Sequence, residues 1–201
     1  MGDRDELPTA VLTGRFAEAV RWASHLHADQ SRKGTRIAYV SHLLAVSSLV
    51  LEDGGTEEEA IAGVLHDAIE DCHVAAAEIR ARFGAPVAEI VVGCSEDRDP
   101  ARDQDWEARK RRYLDHLEHA DLPAGVLRVS AADKLHNARS ILSDVREHGP
   151  SMWERFNAPA DAQGRYYSEV ARILRARHDS VLTRELGRVV DELTAEIDRG
   201  T

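Results

Sequence analysis

The stretch TEEEAIAGVLHDAIEDC, residues 56–72, decides how this chain folds. Thr56, with Glu59 three residues on, fits a capping box, in which each side chain satisfies the other residue's backbone N–H. Behind it Ala60, Ile61, Val64, Leu65, Ala68 and Ile69 recur at the helical i, i+3, i+4 spacing, which predicts a helix with a buried stripe from Thr56 to about Asp71. His66 and Glu70, and Asp67 and Asp71, are each four residues apart and are expected to stack on neighbouring turns. Ionisable groups beside a buried stripe are costly unless something pairs with them, and a cation is one such partner. Imidazole nitrogen with carboxylate oxygen suits Mn²⁺, Fe²⁺, Zn²⁺ or Mg²⁺. Taken alone, the His66-Asp67 dipeptide is better explained as a surface pair or a capped core histidine.

The same periodicity runs on either side. Phe16, Ala19, Val20, Ala23 and Leu26 predict an amphipathic helix over 15–30, and the polar run SRKGTR (31–36) breaks it. A second helix is expected from about Ser41, with His42 in its first turn and Gly54-Gly55 as its stop. Downstream, helices are expected over about 74–83, closed by Gly84, and over 86–94, opened by Pro86. SEDRDPARDQD (95–105) reads as the longest loop, and WEARKRRYLDHL (106–117) as a helix. Its run Arg109–Arg112 is expected to be a solvated face, the alternative being that one member reaches the phosphates of an anionic substrate.

Pro123 starts a long helix with Val126, Leu127, Val129, Ala132, Leu135, Ile141 and Leu142 on its apolar side, and Gly149-Pro150 ends it. Asp133 interrupts that apolar side and needs a strong partner, either a metal ion or a nearby Lys or Arg in a buried salt bridge. Two further helices are expected at about 164–178 and 181–198, with no alternating strand and no internal repeat. The fold class is therefore all-α: an irregular helical bundle in one domain spanning 1–201, with a core of about 15–178 and a C-terminal helix.

A chain 43% apolar and 31% charged belongs among ordinary globular proteins, and a formal net charge of −10 argues against broad nucleic-acid binding. A small anionic substrate needs only a local cluster of cations. No stretch approaches the roughly 18 apolar residues of a membrane-spanning helix, and the N-terminus lacks the order of a signal peptide, so a cytoplasmic protein is expected. Cys72 and Cys94 match no zinc pair and are expected to be reduced thiols without a function.

Four blocks occur in order: HADQSRKGTRIAYVSHLLAV (27–46), AGVLHDAIED (62–71), FGAPVAEIVVGCSED (83–97) and SAADKLHNARSI (130–141). Together they closely resemble the HD-domain superfamily of metal-dependent phosphohydrolases, and within it the (p)ppGpp hydrolase domain of RelA/SpoT-type enzymes and the small alarmone hydrolases. The resemblance covers about 16–177. It implies that His42, His66, Asp67 and Asp133 coordinate one divalent metal, Mn²⁺ in most of the family.

It further implies that Glu70 and Asp71 are catalytic carboxylates that handle the attacking water. As acids at the end of a helix they oppose its dipole, a mild misfit that a function explains. Arg32, Lys33, Asn137 and Ser140 match positions that contact the nucleotide, and Tyr166 and Tyr167 fall where an aromatic often lines the pocket, although core packing explains them equally. The chain has His42-Leu43 where the family commonly has His-Pro, and Cys72 where it has Thr; neither change removes a ligand.

The activity so implied is removal of the 3′-pyrophosphate from (p)ppGpp or a related alarmone, giving GDP or GTP and pyrophosphate. No synthetase or ligand-sensing domain fits the length, and a homo-oligomer is compatible with it. The alternatives are a phosphomonoesterase on another nucleotide or a phosphorylated dinucleotide cofactor, and a non-catalytic nucleotide sensor. Retention of a full ligand set together with Glu70 and Asp71 argues against the sensor.

Overall fold

Thr56 Oγ1 accepts from Glu59 N–H, and Glu59 Oε2 accepts from Thr56 N–H at 2.8 Å, so the capping box forms and starts its helix. The structure is a computed structural model describing residues 11–95 and 105–200. Its helices are α1 (Gly14–Leu26), α2 (Val40–Glu52), α3 (Glu57–Leu65), α4 (Ala68–Cys72), α5 (Ala76–Phe83), α6 (Ala85–Cys94), α7 (Trp106–His119), α8 (Ala124–His148), α9 (Ala160–Arg177) and α10 (Val181–Gly200). A 3₁₀ segment, Gly149–Arg155, joins α8 to α9. Among the described residues the only β pairing is an isolated bridge between Ser31 and Ala38. The all-α class is as the periodicity requires. The expected loop at 95–105 lies, except for its two end residues, outside the described residues.

α3 and α8 form the centre. α3 packs against α1, α2, α6 and α8, while α8 receives α2, α6, α9 and α10. Ala60, Ile61, Val64 and Leu65 of α3 are fully buried, and Leu135, Val129 and Ala132 of α8 meet the same core. Gly63 permits the closest approach: a Cβ added there would stand 3.2 Å from Ser47 Cα on α2. Ser47 Oγ completes the crossing by donating to Ala60 O at 2.9 Å. This brings the first turn of α2 beside the end of α3.

Three helix boundaries differ from expectation. α1 ends at Leu26 instead of reaching Gln30, because His27 leaves the helix and its buried ring turns to Gln30. α9 begins at Ala160, four residues before expected, behind Pro159. The third change matters most for function: the helix that starts at Glu57 does not run to Asp71 but breaks at His66-Asp67, and α4 begins anew at Ala68. The His66 ring explains the break, since its Nδ1 lies 2.8 Å from Gly63 O and occupies a carbonyl at the end of α3. Glu70 and Asp71 consequently sit in the separate five-residue helix α4, not at the end of a long one whose dipole would oppose them.

Candidate metal centre

His42 comes from the first turn of α2, His66 and Asp67 from the α3–α4 turn, and Asp133 from the middle of α8. One atom each from His42, His66 and Asp133 lies within 4.8 Å of the others, and all three residues are buried. His42 Nε2 is 3.2 Å from Asp133 Oδ1; His66 Nε2 is 3.0 Å from Asp67 Oδ2 and 3.7 Å from Asp133 Oδ1. Asp67 Oδ2 also stands 3.8 Å from His42 Nε2, so both aspartates reach both imidazoles.

Each of these side chains is held from behind. Tyr39 donates its hydroxyl to Asp67 Oδ2 at 2.6 Å. Lys134 Nζ donates to Asp133 Oδ2 at 2.6 Å, and Asn137 Nδ2 donates to Asp133 Oδ1. His42 Nδ1 faces His136 Nδ1 at 2.8 Å, and His66 Nδ1 is committed to Gly63 O. Asp133 thus has the buried lysine partner that its position called for as well as a place among the imidazoles.

The charges favour a cation. Burial works against a charged His66, but Asp67 and Asp133 outweigh it and raise its pKa well above the ordinary imidazole value. Burial likewise opposes ionisation of Asp67, yet His66 and His42 hold it low; Asp133 is held low against burial chiefly by Lys134 and the two imidazoles. For His42 burial prevails, lowering its pKa. His66 Nε2 is buried and makes no directed hydrogen bond despite its close carboxylates. The imidazole nitrogens of His42 and His66 and the Asp133 carboxylate form a donor set that suits a divalent ion; Asp67 is not one of that group of three, although its Oδ2 is 3.0 Å from His66 Nε2.

A cavity with a water-accessible volume of about 140 Å³ opens onto these groups, and Glu70, Arg109, Lys110, Lys134 and Asn137 line it. Residues 19–159, most of the chain, match the family model described as HD domain. The chain belongs to the HD-domain family. Family membership implies a divalent metal, and His42, His66 and Asp133 form a site able to hold one.

This HD-domain chain is 31% identical to a guanosine-3′,5′-bis(diphosphate) 3′-pyrophosphohydrolase of Xenopus tropicalis over 139 residues, 68% of this chain and 72% of that one. It is 32% identical over 143 residues to a probable enzyme of the same name from Synechocystis, covering 69% of this chain but 18% of that longer protein. A crystal structure of a Listeria monocytogenes protein superposes with a TM-score of 0.66 at 28% identity, over 75% of this chain and 96% of the other. A metazoan SpoT orthologue described as hydrolysing ppGpp superposes with a TM-score of 0.73 over 94% of this chain and 98% of its own; at 23% identity this shows shared fold alone.

The other residues singled out in the HD-domain sequence fall in different places. Glu70 lines the cavity, whereas Asp71 does not line it and accepts from Gln30 Nε2 at 2.8 Å. Arg32 Nη2 donates to Asn137 Oδ1 at 2.8 Å. Lys33 points elsewhere, to Asn157 Oδ1 at 3.1 Å and over the Phe156 ring. Ser140 is half-buried one turn beyond Asn137 and off the cavity wall. The basic run divides: Arg109 and Lys110 line the cavity, and Arg111 is exposed. Tyr166 and Tyr167 are buried in the core, and neither lines this cavity. Cys72 and Cys94 are unbridged, and burial raises the Cys94 thiol to about 12. Among the described residues no helix is long and apolar enough to cross a membrane.

Sequence reasoning missed Tyr39, Lys134 and His136. Each lies within three residues of a candidate ligand on the same stretch of chain, a spacing that puts it on the ligand's flank. That adjacency was the only signal available.

Proposed function

We propose that this chain removes the 3′-pyrophosphate from (p)ppGpp or a related alarmone, with His42, His66, Asp67 and Asp133 holding one Mn²⁺. The observation that carries this reading is the convergence of those four side chains beside a cavity that also presents Glu70, Arg109, Lys110 and Lys134. The names of the relatives, at 31–32% identity, support the substrate class.

A divalent ion held there supplies Lewis acidity toward a phosphoryl oxygen and makes water near it easier to deprotonate. Glu70, on the cavity wall, receives the proton of the attacking water. Arg109, Lys110 and Lys134 offset the charge of the pyrophosphate as it separates. Arg32 and Asn137 contact the nucleotide, with Lys33 and Ser140 at the margin of that surface. Asp71, bonded to Gln30, positions the segment before α2 against α4 and so acts through its neighbours. Unbridged Cys72 and Cys94 support a cytoplasmic setting for one HD-type unit, alone or as a homo-oligomer.

Purified Mn²⁺-loaded protein incubated with ppGpp, its adenosine analogue, nucleoside monophosphates and phosphorylated cofactors tests this, with products separated by chromatography. Pyrophosphate released from the 3′-pyrophosphorylated nucleotides is expected. Orthophosphate from a different substrate, with none of that pyrophosphate, would overturn the alarmone reading and leave a phosphomonoesterase.

A further inference from the structure

The His42–His136 contact has a chemical consequence for the metal centre. The two Nδ1 atoms face each other at 2.8 Å, with ring centroids 4.8 Å apart. Such a contact holds one proton: two N–H groups would repel, and two lone pairs would leave neither nitrogen bonded. His42 Nε2, on the opposite edge of the ring, faces Asp133 Oδ1 at 3.2 Å and Asp67 Oδ2 at 3.8 Å. When a cation takes the centre of that cluster, Nε2 must present its lone pair, so the single proton of the neutral ring sits on Nδ1. Among the described residues the atom placed to receive it is His136 Nδ1.

We infer that His136 is a positioning residue, a hydrogen-bond acceptor that fixes His42 in the tautomer and ring orientation able to ligate a metal. Every other candidate ligand already has such support: His66 from Gly63 O, Asp67 from Tyr39, and Asp133 from Lys134 and Asn137. His136 completes the set for His42, and it differs from the rest in being an imidazole with its own second nitrogen. In the metal-competent state that second nitrogen carries the His136 proton, because Nδ1 is used as acceptor. His136 rises from α8 three residues after Asp133, so one helical turn supplies a ligand and the support of another ligand.

The inference rests on the metal site of the preceding section, and metal binding without substrate separates the two. Mn²⁺ affinity is measured by competition with a fluorescent chelator for wild type, H136F and H136Q. Phenylalanine fills the space without an acceptor, while the glutamine amide oxygen can accept. H136F is expected to bind Mn²⁺ about 10- to 100-fold more weakly, and H136Q to regain most of that loss. The helical circular dichroism of the metal-free variants checks that they fold. Nitrogen-15 NMR of the Zn²⁺-loaded wild type gives a reading that needs no variant: His42 should carry its proton on Nδ1. Failure of the wild type to bind any divalent ion would sink the metal site itself. Wild-type binding by H136F would overturn the role of His136 alone, whereas a His42 proton on Nε2 in the Zn²⁺ form would remove that nitrogen from the metal and overturn both the ligand and its support.

Discussion

Asn137 joins Arg32 to Asp133: its Oδ1 accepts from Arg32 Nη2 at 2.8 Å while its Nδ2 donates to Asp133 Oδ1. One amide therefore connects the loop before α2, read as a nucleotide-binding element, to a metal ligand on α8. Both of its ends are used, so Asn137 is a support as well as a contact. N137A is expected to weaken Mn²⁺ binding about 10- to 100-fold and also to raise KM. R32A should raise KM while leaving metal content near that of the wild type. Chelator competition and steady-state kinetics on both variants check this, and equal metal loss in the two would show that the amide does not separate the roles.

Tyr39 makes a second, simpler case. Its hydroxyl holds Asp67 Oδ2 while its ring stacks on His27. Y39F removes only the hydroxyl and should cost about 1 kcal/mol of stability, with Mn²⁺ affinity down about tenfold. D67A, which removes the carboxylate itself, should abolish metal-dependent turnover. Full activity of D67A would remove Asp67 from the site.

Above about pH 7.5 the metal-free protein should become less stable as pH rises, because His42 and His136, whose pKa values are lowered chiefly by burial, are neutral there in folded and unfolded chains alike and His66 alone of the three still titrates. In it His66 has a raised pKa, with burial opposing the charge and the Asp67 and Asp133 carboxylates prevailing. A group whose folded pKa is raised contributes stability that is complete below its unfolded value, about 6.5 for His, and that is lost as pH climbs through the folded value. Metal must displace that proton, so Mn²⁺ affinity should increase with pH over the same window. Thermal midpoints with and without chelator from pH 7.5 to 9 test both trends; a metal-free midpoint that rises with pH over that range contradicts the assignment.

At the far side of the molecule, Asp53 ties the end of α2 to the start of α10. It accepts from Leu182 N–H at 3.1 Å and Arg128 Nε at 3.2 Å, and it lies 3.4 Å from His178 Nε2. Burial works against its charge, but the Leu182 N–H, Ser180, Arg128 and His178 together keep its pKa low. D53N is expected to lose about 1–3 kcal/mol, a drop of about 2–4 °C in Tm per kcal/mol. Because the folded pKa is lowered, this stability is present above the ordinary carboxylate value and disappears as pH falls through the folded one. The gap between wild type and D53N should therefore close in acid.

Gly63 sets the spacing on which the metal site depends. G63A places a methyl 3.2 Å from Ser47 Cα, against backbone that has little room to yield. A loss of about 1–3 kcal/mol is expected, with weaker Mn²⁺ binding as α2 and α3 separate. A variant as stable as wild type would mean that the crossing adjusts freely.

The places of the helices other than α4, the capping box at Thr56 and the apolar faces of α2, α3 and α8 were legible in the sequence, because periodicity and capping are local properties of the chain. So was the pairing of His66 with Asp67, which occupies adjacent positions. The break at that pair was not legible: it depends on the His66 ring taking Gly63 O, a side-chain bond that periodicity does not register. Nor were Asp71's use by Gln30 and Lys33's by Asn157, since both pairings join segments whose approach is set by helix packing. Local periodicity is enough to specify an all-helical chain carrying His42, His66, Asp67 and Asp133 on core-facing stretches. Which of their atoms meet, and that Tyr39, Lys134, His136 and Asn137 support them, follows from helix packing, because directed bonds between distant segments form only when close packing fixes distance and angle together.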